Sequence, residues 1–478
     1  MKRQMTGHDR CRANADIVAA DPSVGLPEQE FGLAAMAGQL SRRRLLTSAS
    51  LAFGAAALSI PGGPAVARPQ ASSGAGLDRP VRVAKDRLDA LAAKFHAVFN
   101  EHNILPPFSA DKQGARVDVE LRRLTTFTRV PETGERVKVS GLLALPADHK
   151  GPLPVVSWQH GTILSFDQVP SNLIKLADPN YELRDNVDSI ETLFNIQRLV
   201  GNGFALIAAD YLGKGPYRDG RGEAYAVKDA TVQCCLDVLN AGLLALDQLG
   251  FRKRALFLNG WSQGALNTQW LRQELQRRRV KVAASAAQSP FNNLPESMRY
   301  WVTAGADPSA DSAYPKPPIW ITPCVIILLG SYRLQYRLTD LFKTAIKPQH
   351  IALAEKYWSD YSMDDAFSRA VPQPPDLLVD GFFDRFTHET NSRFLRHLAA
   401  NSTTYWDYDA PMRFYYGAAD EALPPRLVKM SLAANGHFMQ GVSVAGASHR
   451  GTFLASLYGE GDVVGGNSTV LDWFKSAL

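Results

Sequence analysis

Uniformly apolar runs alternate with longer helical patterns through most of this chain. Pro154-Val155-Val156-Ser157-Trp158, Phe204 to Ala209, Ala255 to Leu258, Val282 to Ala287, Met412 to Tyr416 and Phe438 to Val444 each read as a strand. Apolar residues at successive positions mean that such strands are covered on both faces. A long helical pattern runs from about Ala226 to Leu249, and another starts at Ala265. Buried strands alternating with helices predict an α/β protein with a mostly parallel sheet, whose sites form at the strand C-terminal ends. Upstream, Leu88, Leu91, Phe95 and Val98 give Val83 to Asn100 a helical period. Val117 to Val130 and Val137 to Leu145 flank Pro131-Glu132-Thr133-Gly134, which predicts an antiparallel hairpin.

The alternation breaks between Pro290 and Asp409, where proline-rich stretches separate helical segments and no core strand is evident. The expected organisation is a core of residues 117–289 and 410–478, a helical cap inserted at 290–409, and a helical N-terminal extension at 68–116. Residues 1–67 read as an export signal. Ser41-Arg42-Arg43-Arg44-Leu45-Leu46-Thr47 precedes a mild apolar run, Leu51 to Ile60, and Ala65-Val66-Ala67 is a small-x-small cleavage site. The paired arginines resemble a twin-arginine signal. Its leader is long, and Met5 or Met36 could serve as the start instead of Met1. Cleavage near Ala67 would place the mature chain in the periplasm or outside the cell. The apolar run is too short to span a membrane, which takes about 20 residues.

Composition adds little and excludes some classes. The chain has 478 residues, 45% hydrophobic and 21% charged, with 52 basic and 47 acidic residues for a net +5. That balance gives no reason to expect a nucleic-acid partner, and no basic patch interleaved with aromatics occurs. Arg277-Arg278-Arg279 with Lys281 reads as a solvated helix end. Cys234, Cys235 and Cys324 read as buried thiols, with a bridge from the pair to Cys324 left open. No ligand spacing suggests a metal, and no cofactor is expected.

The chemistry centres on Gly260-Trp261-Ser262-Gln263-Gly264, the one G-x-S-x-G in the chain, set between the strand at Ala255 to Leu258 and a helix. Such a strand–turn–helix exposes its serine on a tight, strained turn, and glycines at both flanks avoid clashes. A serine hydroxyl needs a base, and the base needs a carboxylate to orient it. Behind such an elbow the partners follow in the order serine, acid, histidine. Asp420 follows the strand at Met412 to Tyr416, with Glu421 as runner-up. His449 follows the last strand in a loop of small residues, whereas His437 precedes that strand and is expected on the surface. The expected triad is therefore Ser262, His449 and Asp420. The N–H of Gln263, with that of Gly161 or Thr162, would meet the oxyanion. His160 could pin that loop.

Trp158-Gln159-His160-Gly161-Thr162, Asp210-Tyr211-Leu212-Gly213 and Tyr405-Trp406 leading to Tyr415-Tyr416-Gly417-Ala418-Ala419-Asp420 resemble the secretory lipase family of the α/β-hydrolase superfamily, from roughly Val117 to the C-terminus. The resemblance implies an α/β-hydrolase fold with an inserted cap and esterase or lipase activity. Lys214 departs from the smaller or apolar residue common there. Two other readings stand beside a carboxylester hydrolase acting on a small-molecule or lipid ester: a peptidase or amidase with the same triad, and a non-catalytic binding protein. The expected pocket comprises Trp261, His160, Tyr211, Ile326 and Ile327. The last two come from the apolar run Ile319 to Leu329, where Thr322 would cap a helix with Pro323 at its first position.

Overall fold

The computed structural model describes residues 76–218, 222–303, 316–383, 388–433 and 436–478. The expected signal, its arginines and its cleavage site lie outside the described residues.

One ten-stranded sheet organises the domain. The strands are β1 (Gly76–Leu77), β2 (Val81–Val83), β3 (Val119–Arg129), β4 (Arg136–Pro146), β5 (Leu153–Gln159), β6 (Ala205–Ala209), β7 (Lys253–Trp261), β8 (Ala284–Gln288), β9 (Met412–Gly417) and β10 (Met439–Val444). Their order is β1-β3-β4-β6-β5-β7-β8-β9-β10, with β2 also on β3. From β6 to β10 every pairing is parallel, and from β6 back to β1 every pairing is antiparallel. The fold is thus α/β with a mostly parallel core sheet. The hairpin forms as its turn residues predict, with Arg129 opposite Arg136 at its mouth.

Residues near the start depart from the sequence reading. Val83 ends β2, and the helix begins only at Lys85. Both β1 and β2 pair with β3, so the segment before that helix extends the sheet edge.

Strands β5, β6 and β8 are buried at every position, which is why they read as unbroken apolar or small-residue runs. Helix Lys228–Gln248 packs on β3, β4 and β6. It is the one described helix long and apolar enough to cross a membrane, yet 67% of its apolar window is buried inside the domain, as befits a core helix. Cys234 and Cys235 on this helix, and Cys324, are buried free thiols. Burial pushes the Cys235 thiol up to about 12, which suits packing and not nucleophilic chemistry.

Between β8 and β9 the chain leaves the sheet for a series of helices that includes Leu294–Thr303, Ile321–Gln335, Ile351–Asp360 and Glu389–Ala400. Helix Ile321–Gln335 is buried on almost every side. It starts one residue before Thr322, whose hydroxyl donates to the Pro372 carbonyl (2.8 Å) and does not cap the helix. Pro323 then falls at the third helical position, where an N–H would have no intrahelical acceptor.

Candidate active site

Strand β7 turns into helix Gln263–Arg277 through a single residue, Ser262, with φ 56 and ψ −119. A side chain held there is strained and persists only if its surroundings fix it. They do so on both sides. The Ser262 N–H donates to the Gln288 carbonyl of β8 (2.8 Å), and the Ser262 carbonyl accepts from Ala265 and Leu266. A Cβ on Gly264 would run into the carbonyls of Gln159 and His160, and one on Gly260 would run into Gly264. The turn therefore requires glycine at both flanks. Beneath it a buried amide chain ties neighbouring elements together: Gln288 donates to Asn259, and Asn259 donates to Asn195, each at 2.7 Å.

Asp420 sits beyond β9 and is wholly buried. One carboxylate oxygen accepts from the N–H groups of Ala422 (3.0 Å) and Leu423 (2.8 Å), which fixes the carboxylate. His449 Nδ1 lies 3.0 Å from each Asp420 oxygen. Burial works against a charged imidazole, but the charge and hydrogen bond of Asp420, with Glu421 and Glu101 nearby, outweigh it and hold the His449 pKa above its ordinary 6.5. Glu421 takes a different part of the same residue, accepting from the His449 backbone N–H (3.0 Å). His437 is exposed and packs beside Phe438.

Ser262 and His449 line the same cleft. The described hydrogen bonds do not join the two; in unliganded sites such contacts are often long. Two indoles flank the imidazole, Trp261 at 5.2 Å and Trp320 at 5.8 Å between ring centroids.

The loop after β5 approaches the elbow closely. A Cβ on Gly161 would lie 2.9 Å from the Trp261 ring, so glycine permits this approach. Thr162 lines the cleft, and its hydroxyl pairs with the Tyr225 hydroxyl (2.9 Å). None of the described hydrogen bonds uses the N–H of Gly161, Thr162 or Gln263. The helix behind Gln263 adds its positive dipole end.

His160 and Tyr211 were expected in the pocket, but they lie beneath the loop. Their rings stack at 4.0 Å, and the Tyr211 hydroxyl donates to the His160 carbonyl (3.0 Å). Burial lowers the His160 pKa to about 4, so its ring is neutral and suited to pinning the loop. Ile326 and Ile327 are also displaced from the expected pocket. Both are fully buried in the main apolar core. The same helix meets the site through its N-terminal end, with Trp320, Ile321 and Cys324. Trp261 does line the cleft.

Several contributors carry no sequence signal. Glu101 accepts from the Ser448 hydroxyl (2.7 Å) and lines the cleft. Arg450 pairs with Asp185 (2.9 Å) at the rim. Tyr361, from the helical insertion, closes one side and donates to Glu223 (3.1 Å). Trp320 was visible only as the aromatic member of an apolar run.

No known protein-family profile matches this sequence, and no curated protein matches it significantly. Solved structures do resemble it. A protein of Legionella pneumophila presumed to be a hydrolase superimposes with a TM-score of 0.64 at 19% identity, covering 84% of this chain and 97% of that one. The rice cell wall degrading esterase LipA of Xanthomonas oryzae gives 0.62 at 18% identity, covering 80% and 94%. Candida antarctica lipase A in its closed state gives 0.52 at 13% identity, covering 69% and 73%. At these identities the likeness concerns the fold, and together with the sheet order and the strand–turn–helix at Ser262 it identifies the architecture as the α/β-hydrolase fold.

Proposed function

We propose that this chain is a serine hydrolase that cleaves carboxylic esters through an acyl-enzyme. The observation that carries the reading is the strained Ser262 sharing a cleft with an imidazole whose Nδ1 is held by a buried, doubly capped Asp420. His449 takes the Ser262 proton at Nε2 as Oγ bonds to the ester carbon. Asp420 keeps the proton on Nδ1 and stabilises the imidazolium. The N–H groups of Gln263 and of Gly161 or Thr162 receive the developing oxyanion. As the bond from carbon to the alcohol oxygen breaks, His449 returns its proton to that oxygen. Water, deprotonated by His449, then bonds to the acyl carbon; the carbon–Oγ bond breaks, His449 returns the proton to Ser262 Oγ, and the acid is released. The helices between β8 and β9 act as a cap over the site, and the twin-arginine-like leader exports the folded protein.

The direct test is labelling by an organophosphonate, read by mass spectrometry. One adduct per chain on the peptide containing Ser262, absent in Ser262→Ala, is expected. A folded protein that is not labelled would leave the fold as a non-catalytic scaffold. Comparing an ester and an anilide of the same acyl group separates esterase from amidase.

A further inference from the structure

Two spaces meet at Ser262, and they differ in size and in lining. The outer cleft encloses about 780 Å³, and exposed residues such as Asn186, Met363 and Asp364 form part of its walls. Carboxylates on its walls include Glu101, Asp185 and Glu421. The inner space is walled by Tyr225, Phe291, Trp301, Trp320, Ile321 and Cys324, and leaves only about 10 Å³ free. That is the room of roughly one water molecule or methyl group.

The inner walls are fixed. Trp301 Nε1 donates to the Ala422 carbonyl (2.8 Å), and Tyr225 is held through Thr162. Ile321 and Cys324 belong to the buried helix Ile321–Gln335, and both are at most 2% exposed. Enlarging this space means moving packed aromatic rings, and overpacking a core is costly.

The order of bond breaking decides which half of an ester each space can hold. The alcohol leaves while the acyl group is still bonded to Ser262 Oγ. An alcohol in the inner space would have to leave past the acyl-enzyme, whereas an alcohol in the outer cleft departs directly to solvent. Resting on the ester-hydrolase reading, we infer that the acyl group taken by this site is acetyl and that the bulk of the substrate lies on the alcohol side. The enzyme is then a deacetylating esterase and not a long-chain lipase.

Octyl acetate and ethyl octanoate are isomers with the ester reversed, so they share composition, and both release primary alcohols. The full chain without its signal should hydrolyse octyl acetate with kcat/KM at least about 100-fold higher, because one misfitting methylene already costs roughly 10–200-fold. Comparable values, or a preference for ethyl octanoate, would overturn the inference while leaving the ester-hydrolase reading intact. If neither isomer nor p-nitrophenyl acetate is hydrolysed by the folded protein, that reading falls and the inference with it. Trp301→Ala and Ile321→Ala each enlarge the inner space. At least one should raise the ratio of p-nitrophenyl butanoate to acetate hydrolysis about tenfold. An unchanged ratio in two folded, active variants would also overturn the assignment.

Discussion

Lys214 Nζ lies 2.7 Å from Glu223 Oε2, with both side chains removed from solvent. The ammonium also sits 3.9 Å from the centre of the Tyr361 ring. Glu223 accepts from Tyr361 (3.1 Å) and, more weakly, from the side chain of Gln263 (3.4 Å), the residue after the elbow serine. A single buried carboxylate thereby joins the loop after β6, the helical insertion and the elbow. Glu223 balances the buried charge of Lys214.

Removing only one member of such a pair strands a buried charge. Glu223→Gln should therefore cost about 3–5 kcal/mol of stability, whereas Lys214→Met with Glu223→Gln should recover most of that loss. Urea denaturation checks this. A double variant as unstable as the single would show that the pair is not an isolated charge balance.

The acid of the site can be tested through its neighbour. Asp420 holds the ring of His449, while Glu421 holds only its backbone. Asp420→Asn should lower kcat by on the order of 10⁴, and Glu421→Gln far less. The pH profile gives the sign. In the proposed mechanism His449 acts as a base only when neutral, and Asp420 holds its pKa above 6.5. Activity should thus fall with acid along a limb centred above 6.5. Stability should run the other way. The protonated ring paired with Asp420 stabilises the fold below the unfolded-state pKa, and this contribution is lost as pH rises through the folded value. Ser262→Ala allows that stability to be measured without turnover. A limb below the ordinary histidine value would exclude Asp420 as its partner.

How much of this was readable in the chain depended on the range of the interaction. The elbow was legible because its causes are local: an apolar strand, two glycines that admit no Cβ, and a helix start. Asp420 and His449 were legible because a parallel sheet gathers strand ends at one edge. Strands β1 and β2 were missed because two and three residues carry no measurable period. Ile326 and Ile327 were misassigned for another reason. A helix apolar on all sides has no face from which its orientation can be read, and packing turned only its first turn, with Trp320, toward the site. The partnership of Lys214 with Glu223 is set by tertiary contact.

Export can be tested apart from catalysis. Arg42, Arg43 and Arg44 offer two registers for an arginine pair. Changing all three to Lys should retain the precursor in the cytoplasm of a bacterial host if the twin-arginine route is used. Fractionation and immunoblotting read the outcome. Unchanged accumulation outside the cytoplasm would point to another route.

The helix Ile321–Gln335 separates packing from recognition along its own length. Ile326 is fully buried in the main core, two positions beyond Cys324, the last residue of this helix to line the inner space. Ile326→Ala removes atoms from a packed interior, so it should cost about 2–5 kcal/mol of stability through lost burial and the cavity left behind. Its effect on p-nitrophenyl esters should be uniform, with the ratio of kcat/KM between acetate and butanoate unchanged at a temperature where the variant is folded. Ile321→Ala, at the end of the helix that lines the inner space, should shift that ratio. If Ile326→Ala changed chain-length preference as strongly as Ile321→Ala, the inner space would have to extend along the helix, and the acyl group could be longer than acetyl.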